Sequence, residues 1–60
     1  MDLVIYDNKN RENVICVYYN CELVPHVHDI INIGKTFYEV ISNPCFSYDT
    51  DTVLIFVCKR

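Results

Sequence analysis

The sequence predicts an all-β fold, either a small, strongly bent antiparallel sheet of five to six strands or an SH3-like barrel. Short runs of β-branched and aromatic residues alternate along the chain with clusters of Asn, Asp, Gly and Pro. The chain has 60 residues, of which 52% are hydrophobic, so it is expected to fold as one β domain spanning residues 1–60. Closing so small a sheet into a barrel would remove its exposed strand edges.

The first part of the chain predicts a hairpin. Residues 3–6 and 13–19 are rich in Val, Ile and Tyr, which favour strands. Residues 7–12 between them contain Asn, Asp and Lys and predict a turn. The polar residues at 20–22 either bend the second strand or let it continue to Val24.

A second hairpin is predicted in the middle of the chain. Pro25 cannot donate to a strand ladder and therefore belongs at an edge or at a strand start. A strand at 29–33 then leads into Gly34 and Lys35, and glycine at the first central position is typical of a type II′ turn. The returning strand is predicted at 36–42.

The last part of the chain predicts a kinked hairpin. Asn43 and Pro44 break or kink the preceding strand, and residues 45–48 can continue it beyond the kink. Residues 49–51 predict a turn, and residues 52–59 predict the final strand.

One segment also fits a helix. Apolar residues between Asp29 and Asn43 recur at intervals of three and four, at Ile30, Ile33, Phe37, Val40 and Ile41. Against this alternative, Gly34 would cost about 1 kcal/mol inside a helix. The β-branched and aromatic residues of the segment also favour strands, so the hairpin is preferred.

The sequence PHVHDIINIGKTFYEV at residues 25–40 resembles the segment P-x-V-G-D-x-V-x-I-G-K of small, uncharacterised β-barrel accessory proteins of phages and Gram-positive bacteria. Residues 46–57 resemble the closing hairpin of the same proteins. His28 stands where those proteins often carry Gly. The resemblance implies a β-barrel fold and a phage or mobile-element accessory protein acting in the cytoplasm of the host cell.

Charge and composition narrow the classes of partner. The net charge is −3, and the basic residues are scattered along the chain, at Lys9, Arg11, Lys35, Lys59 and Arg60. Nucleic-acid-binding proteins normally carry a basic patch, so no nucleic-acid partner is expected. The longest apolar run, at 53–58, is too short for a membrane span, and no signal peptide is evident. A cytoplasmic protein without a membrane partner is therefore predicted.

The cysteines are expected to be reduced and mainly structural. Without a signal peptide, an even number of cysteines does not by itself indicate disulfides. The four residues also lack the C-x-x-C pairs that are typical of structural zinc sites: Cys16, Cys21, Cys45 and Cys58.

His26 and His28 are the first candidates for a metal site. On a strand these two residues would share one face, and a neighbouring acid or cysteine at 21, 22 or 29 could add a third ligand. A pair of surface histidines beside Pro25 is the more common interpretation of such a pattern. No metal and no cofactor are predicted.

The sequence also contains residues that could be considered for a calcium site or a catalytic pair, but the required patterns are missing. Asp49 and Asp51 lack the glycine and the bidentate glutamate of a calcium loop, so an Asx-type turn is expected. A Cys–His catalytic pair is conceivable from composition, but no cysteine occupies an activating position apart from Cys58 beside Lys59 and Arg60. We therefore predict no catalytic residues and a protein that is not an enzyme.

The apolar content of the strands instead predicts an interaction surface. In the segments 13–19 and 52–59, apolar side chains occupy both strand faces, although a small barrel buries only one of them. The expected surface consists of five residues, Ile15, Val17, Tyr19, Leu54 and Phe56. The chain is therefore predicted to be a homo-oligomer, most simply a dimer.

Three functions remain open at this point. The first is a non-enzymatic binding protein that engages and inhibits a host protein, for example a defence protein, as the resemblance implies. The second is a structural subunit of a virus particle. The third is a protein that sequesters a small ligand such as a nucleotide.

Overall fold

A computed structural model describes all 60 residues of the chain. It contains six strands: β1 (Asp2–Asp7), β2 (Val14–Tyr18), β3 (Ile30–Ile33), β4 (Thr36–Val40), β5 (Cys45–Ser47) and β6 (Thr52–Lys59). The all-β prediction is confirmed, and the helical alternative between Asp29 and Asn43 is wrong, because this segment forms the β3–β4 hairpin.

The long strand β6 lies at the centre of one strongly curled sheet. The strands follow the order β2-β1-β6-β4-β3, and β5 also pairs with β6. One pairing differs from the antiparallel sheet that the sequence predicts, since β1 runs parallel to β6. Parallel neighbours need a long connection, and here the rest of the chain provides it, because β1 and β6 are the first and last strands.

The curl of the sheet originates along β6. β5 pairs with the first part of β6, from Thr52 to Leu54, and β4 pairs with its last part, from Val57 to Lys59. Residues 41–44, which include Pro44, connect these two pairings along the same edge. The result is a half-barrel rather than a closed barrel, in which β2, β3 and the short strand β5 each keep one free edge.

The core fills the concave side of the half-barrel. Its six buried residues are Leu3, Ile5, Val40, Val53, Ile55 and Val57. Alternate residues of β6 are buried, as expected for a strand with one face in the core. Each fully buried Val or Ile contributes roughly 1.5–3 kcal/mol. Met1, Cys21 and Val24 pack against this cluster, so the segment between β2 and β3 helps to cover the open side.

A β-bulge in β2 changes which side chains reach the core. Ile5 is opposite Cys16, but the next residue, Tyr6, is opposite Val14, so Ile15 is an extra residue in the strand. Ile15 and Cys16 both pack against the core cluster. Strict alternation would have placed these two neighbours on opposite faces.

The turns agree with the residue types at their centres. Gly34 has a φ of 64°, which matches the first central position of the predicted type II′ turn. Asn20 and Asp51 have φ values of 56° and 52°, and both residue types tolerate the left-handed region. His28 has a φ of 76° in a conformation that glycine adopts with less strain.

Candidate functional site

The face of the sheet opposite the core, hereafter the convex face, carries a continuous apolar strip. In the parallel pairing of β1 and β6, Val4 lies beside Leu54 and Tyr6 lies beside Phe56. Val17 of β2 extends the strip, because it lies opposite Val4 on the same side of the sheet. All five side chains are half-buried in the single chain.

Phe56 is the centre of this strip. Its ring centroid lies 5.6 Å from that of Tyr6, with the planes tilted by 33°. The Arg11 guanidinium lies 4.2 Å above the Phe56 ring and donates a hydrogen bond of 2.9 Å to Asn8. A cation over an aromatic face contributes about 0.5–1 kcal/mol at an exposed site. The β1–β2 loop is therefore held against the convex face through Arg11.

The structure brings three of the five predicted interaction residues together on the convex face. These residues are Val17, Leu54 and Phe56. Ile15 packs against the core because of the bulge, and Tyr19 lies beyond the end of β2 with 73% of its surface exposed. Three further residues belong to this region and were not predicted from the sequence: Val4, Tyr6 and Arg11. The apolar residues of β1 could have identified the first two, whereas the position of Arg11 depends on how its loop folds.

The free edge of β2 adjoins the convex face. Its outer side has no neighbouring strand. Val14 and Tyr18 are each 43% exposed, and Tyr19 follows immediately. The strand, with the sequence VICVY, contains no charged residue. An uncharged edge with exposed apolar side chains favours pairing with another strand.

The two histidines occupy a turn rather than a strand. His26 Nδ1 lies 3.9 Å from the Asp29 carboxylate, whereas His28 Nδ1 lies 3.4 Å from the Glu39 carboxylate. The positive φ of His28 breaks the alternation that would place both imidazoles on one strand face. The chain contains no group of three or more side chains suited to holding a metal ion.

The segment 49–51 is a turn between β5 and β6. Thr50 donates a hydrogen bond of 3.0 Å to the Ser47 hydroxyl, and Thr52 donates one of 3.1 Å to the Thr50 carbonyl. Asp49 and Asp51 are both exposed. These contacts support the interpretation of the segment as a turn.

The four cysteines are all free in the structure. Cys45 is exposed, and the other three are partly buried. A hydrogen bond with the Cys16 side chain raises the pKa of the Tyr18 phenol above its ordinary value, and slight burial and the charge of Cys16 act in the same direction. Cys16 and Tyr18 are alternate residues of β2 and therefore neighbours on one face.

Comparison of the chain with protein-family models, with curated proteins and with solved structures finds no match. The chain also has no helix with the length and apolar character needed to cross a membrane.

Proposed function

We propose that this chain is a non-enzymatic binding protein that acts as a homodimer, with two copies joined along their β2 strands. The observation that carries the proposal is the free, uncharged edge of β2 with its exposed residues Val14 and Tyr18. Antiparallel pairing of two β2 strands around a two-fold axis would continue the sheet from one copy into the next.

Charge favours a second copy as the occupant of this edge. The whole chain carries a net charge of −3, so two copies repel each other over most of their surfaces. β2 carries no charge, and its self-pairing places no like charges opposite each other. The other free edges are shorter. β3 has four residues and lies between Asp29 and Lys35, and β5 has only three residues.

The surface available to a single chain also favours association. Only six of the 60 residues are buried, and the chain exposes 4323 Å². A standard interface covers about 800 Å² on each partner, or about a fifth of that surface. Association would add apolar burial to a domain whose size limits its own core.

Sedimentation equilibrium at micromolar concentration tests this arrangement. We expect a dimer of the 7.1 kDa chain. Replacing Tyr18 with Lys should weaken dimerisation about tenfold or more, because each edge would then carry an unpaired cation. Tyr48→Lys is the matched control, since Tyr48 is 90% exposed and lies outside β2. A folded wild-type monomer would overturn the proposal.

A further variant separates edge pairing from stacking of the convex faces. Phe56→Lys places a charge in the centre of the convex face and leaves β2 unchanged. If Phe56→Lys dissociates the dimer and Tyr18→Lys does not, the two copies associate through their convex faces and edge pairing is wrong. Lys9→Glu and Glu12→Lys, both at exposed loop positions, control for a general effect of charge.

The biological role that we propose follows from the resemblance of residues 25–40 to phage accessory proteins. In this role the dimer binds and inhibits a host protein, and the convex face with Tyr6, Leu54 and Phe56 provides the contact. The role would be supported if the wild type inhibits a host defence activity. Phe56→Lys should lose this inhibition, and Lys9→Glu should keep it. Equal inhibition by both variants would exclude the convex face as the contact.

A further inference from the structure

Three of the five basic side chains of this chain lie around one groove, although the sequence spreads them along the chain. The groove is open, has a volume of about 720 Å³, and is lined by Ile30, Lys35, Thr36, Phe37, Lys59 and Arg60. No acidic residue lines it. The fold therefore brings together basic residues that are scattered along the sequence.

Strand pairing brings these residues together. Lys35 belongs to the tight turn between β3 and β4, and Lys59 is the last residue of β6. Lys59 lies opposite Tyr38 of β4, and the next residue, Arg60, donates a backbone hydrogen bond of 2.9 Å to the Phe37 carbonyl. The end of β6 is thus fixed against the β3–β4 hairpin.

The positive charge of the groove is largely uncompensated. Neither Lys35 nor Lys59 takes part in a salt bridge. Arg60 contacts Glu39 at 3.8 Å, but the same carboxylate also contacts His28 at 3.4 Å. An exposed ion pair of this kind contributes little to stability, so the Arg60 guanidinium can turn towards a ligand at small cost.

The groove also offers an apolar wall. Phe37 is 55% exposed and Ile30 is 47% exposed, which leaves much of both side chains in water. A half-exposed aromatic ring beside basic side chains provides a stacking surface next to an anion site. Guanidinium and ammonium groups together are well suited to the oxygens of a phosphate, which Arg can bind in a bidentate manner.

We propose that this groove binds a phosphate monoester that carries a planar ring, with Lys35, Lys59 and Arg60 holding the phosphate and Phe37 stacking on the ring. Three cations match a phosphate dianion better than a single carboxylate. The groove lies within the size range of small-molecule sites. The proposal is independent of the dimer, because none of the lining residues belongs to β2.

NMR titration of the isotopically labelled chain with AMP, adenosine and inorganic phosphate tests the proposal. AMP is expected to shift the amide resonances of residues 35–37, 59 and 60, and to bind more tightly than either of its fragments. Phosphate should shift the amide resonances of the same basic residues more weakly. Adenosine should mainly shift the amide resonances near Phe37. No shift in the groove at millimolar AMP, or equal affinity for AMP and phosphate, would overturn the proposal.

Variants assign the contributions of the individual side chains. Lys59→Glu should lower the affinity for AMP about tenfold or more, as expected for the loss of a charge-assisted contact. Lys9→Glu makes the same change in charge outside the groove and should leave binding nearly unchanged. Phe37→Ser should weaken AMP binding and spare phosphate binding. Equal loss of AMP binding in Lys59→Glu and Lys9→Glu would show that only overall charge matters.

Titration with a single-stranded oligonucleotide of mixed sequence distinguishes a small-ligand site from a nucleic-acid surface. Tighter binding of the oligonucleotide than of AMP, with a steep dependence on salt, would identify a nucleic-acid surface and overturn the assignment of a small ligand. Binding of AMP that equals or exceeds that of the oligonucleotide supports the proposal.

Discussion

The Ser42 hydroxyl lies 3.2 Å from the backbone nitrogen of Phe56 and accepts its hydrogen bond, at the point where β4 and β5 part along β6. The Phe56 carbonyl accepts a hydrogen bond of 3.0 Å from the backbone nitrogen of Ile41. Both backbone groups of Phe56 are therefore satisfied across the kink. The Ser42 side chain replaces a backbone partner of β6 between the β4 and β5 pairings. β6 therefore remains a continuous strand at this position.

Replacing Ser42 with Ala should lower the free energy of unfolding by about 1 kcal/mol or more, because the half-buried Phe56 amide would lose its acceptor. Urea denaturation measures the change. Ser47→Ala is a matched control, since its hydroxyl contacts only the exposed Thr50 side chain at 3.0 Å and should matter less. A Ser42 variant as stable as the Ser47 variant would contradict this role.

His28 should tolerate glycine and reject a β-branched residue. The left-handed conformation costs a non-glycine residue about 1–2 kcal/mol, whereas glycine loses roughly 0.5–1 kcal/mol through its freedom in the unfolded chain. His28→Gly should therefore change stability little or raise it slightly, and His28→Val should be clearly destabilised.

Thermal unfolding of the two His28 variants provides the measurement. His26→Val is the control, since His26 lacks the positive φ and is equally exposed to solvent. If valine is tolerated equally well at positions 26 and 28, the backbone at His28 does not adopt the left-handed conformation.

Neighbouring residues of β6 should respond differently to the loss of one side-chain carbon. Ile55 is fully buried in the core, whereas Leu54 is half-buried on the convex face. Ile55→Val should lower the free energy of unfolding by about 1 kcal/mol. Leu54→Val should lower it less, because the surroundings of Leu54 are partly solvent. Denaturant midpoints compare the two. Equal losses would mean that the convex face is as tightly packed as the core.

The Tyr18 phenol should ionise at a higher pH than an ordinary tyrosine side chain. Its pKa is raised by the hydrogen bond with the Cys16 side chain, by slight burial and by the charge of Cys16. A folded-state pKa above the unfolded value of about 10 gives stability that is complete below that pH. This contribution is lost as the pH rises through the folded-state pKa.

Absorbance titration of the tyrosines in the wild type and in Tyr18→Phe tests this assignment. The variant should lose a component that titrates above the ordinary pKa of tyrosine, and its stability should fall less steeply above pH 10. Cys16→Ala should return the pKa of Tyr18 towards its ordinary value. Identical curves for the wild type and Tyr18→Phe would contradict the assignment.

Local patterns in the sequence predicted much of the secondary structure. The final strand was expected at 52–59 and is observed as Thr52–Lys59. The turn at Gly34 and the break at Asn43 and Pro44 also lie where the residue types indicate. Strand preference and turn chemistry act over a few neighbouring residues, so a single sequence is enough to identify them.

The candidate surfaces depended on contacts between distant segments. The bulge at Ile15 appears only when β2 is aligned with β1, and it moves this predicted surface residue into the core. Tyr6 and Phe56 become neighbours only through the parallel pairing of the first and last strands. Register and strand order are set by packing across the whole sheet, and no local pattern specifies them.

The sequence by itself determined that this chain is a small β domain, which segments become strands and where the chain turns, because these properties follow from residue preferences over short distances. Only the tertiary structure decided that the half-barrel leaves β2 free, and that Lys35, Lys59 and Arg60 surround one groove. Residues so far apart in the chain meet only when β6 pairs with β4, and that pairing depends on the burial of Val40 against Val57 in the common core.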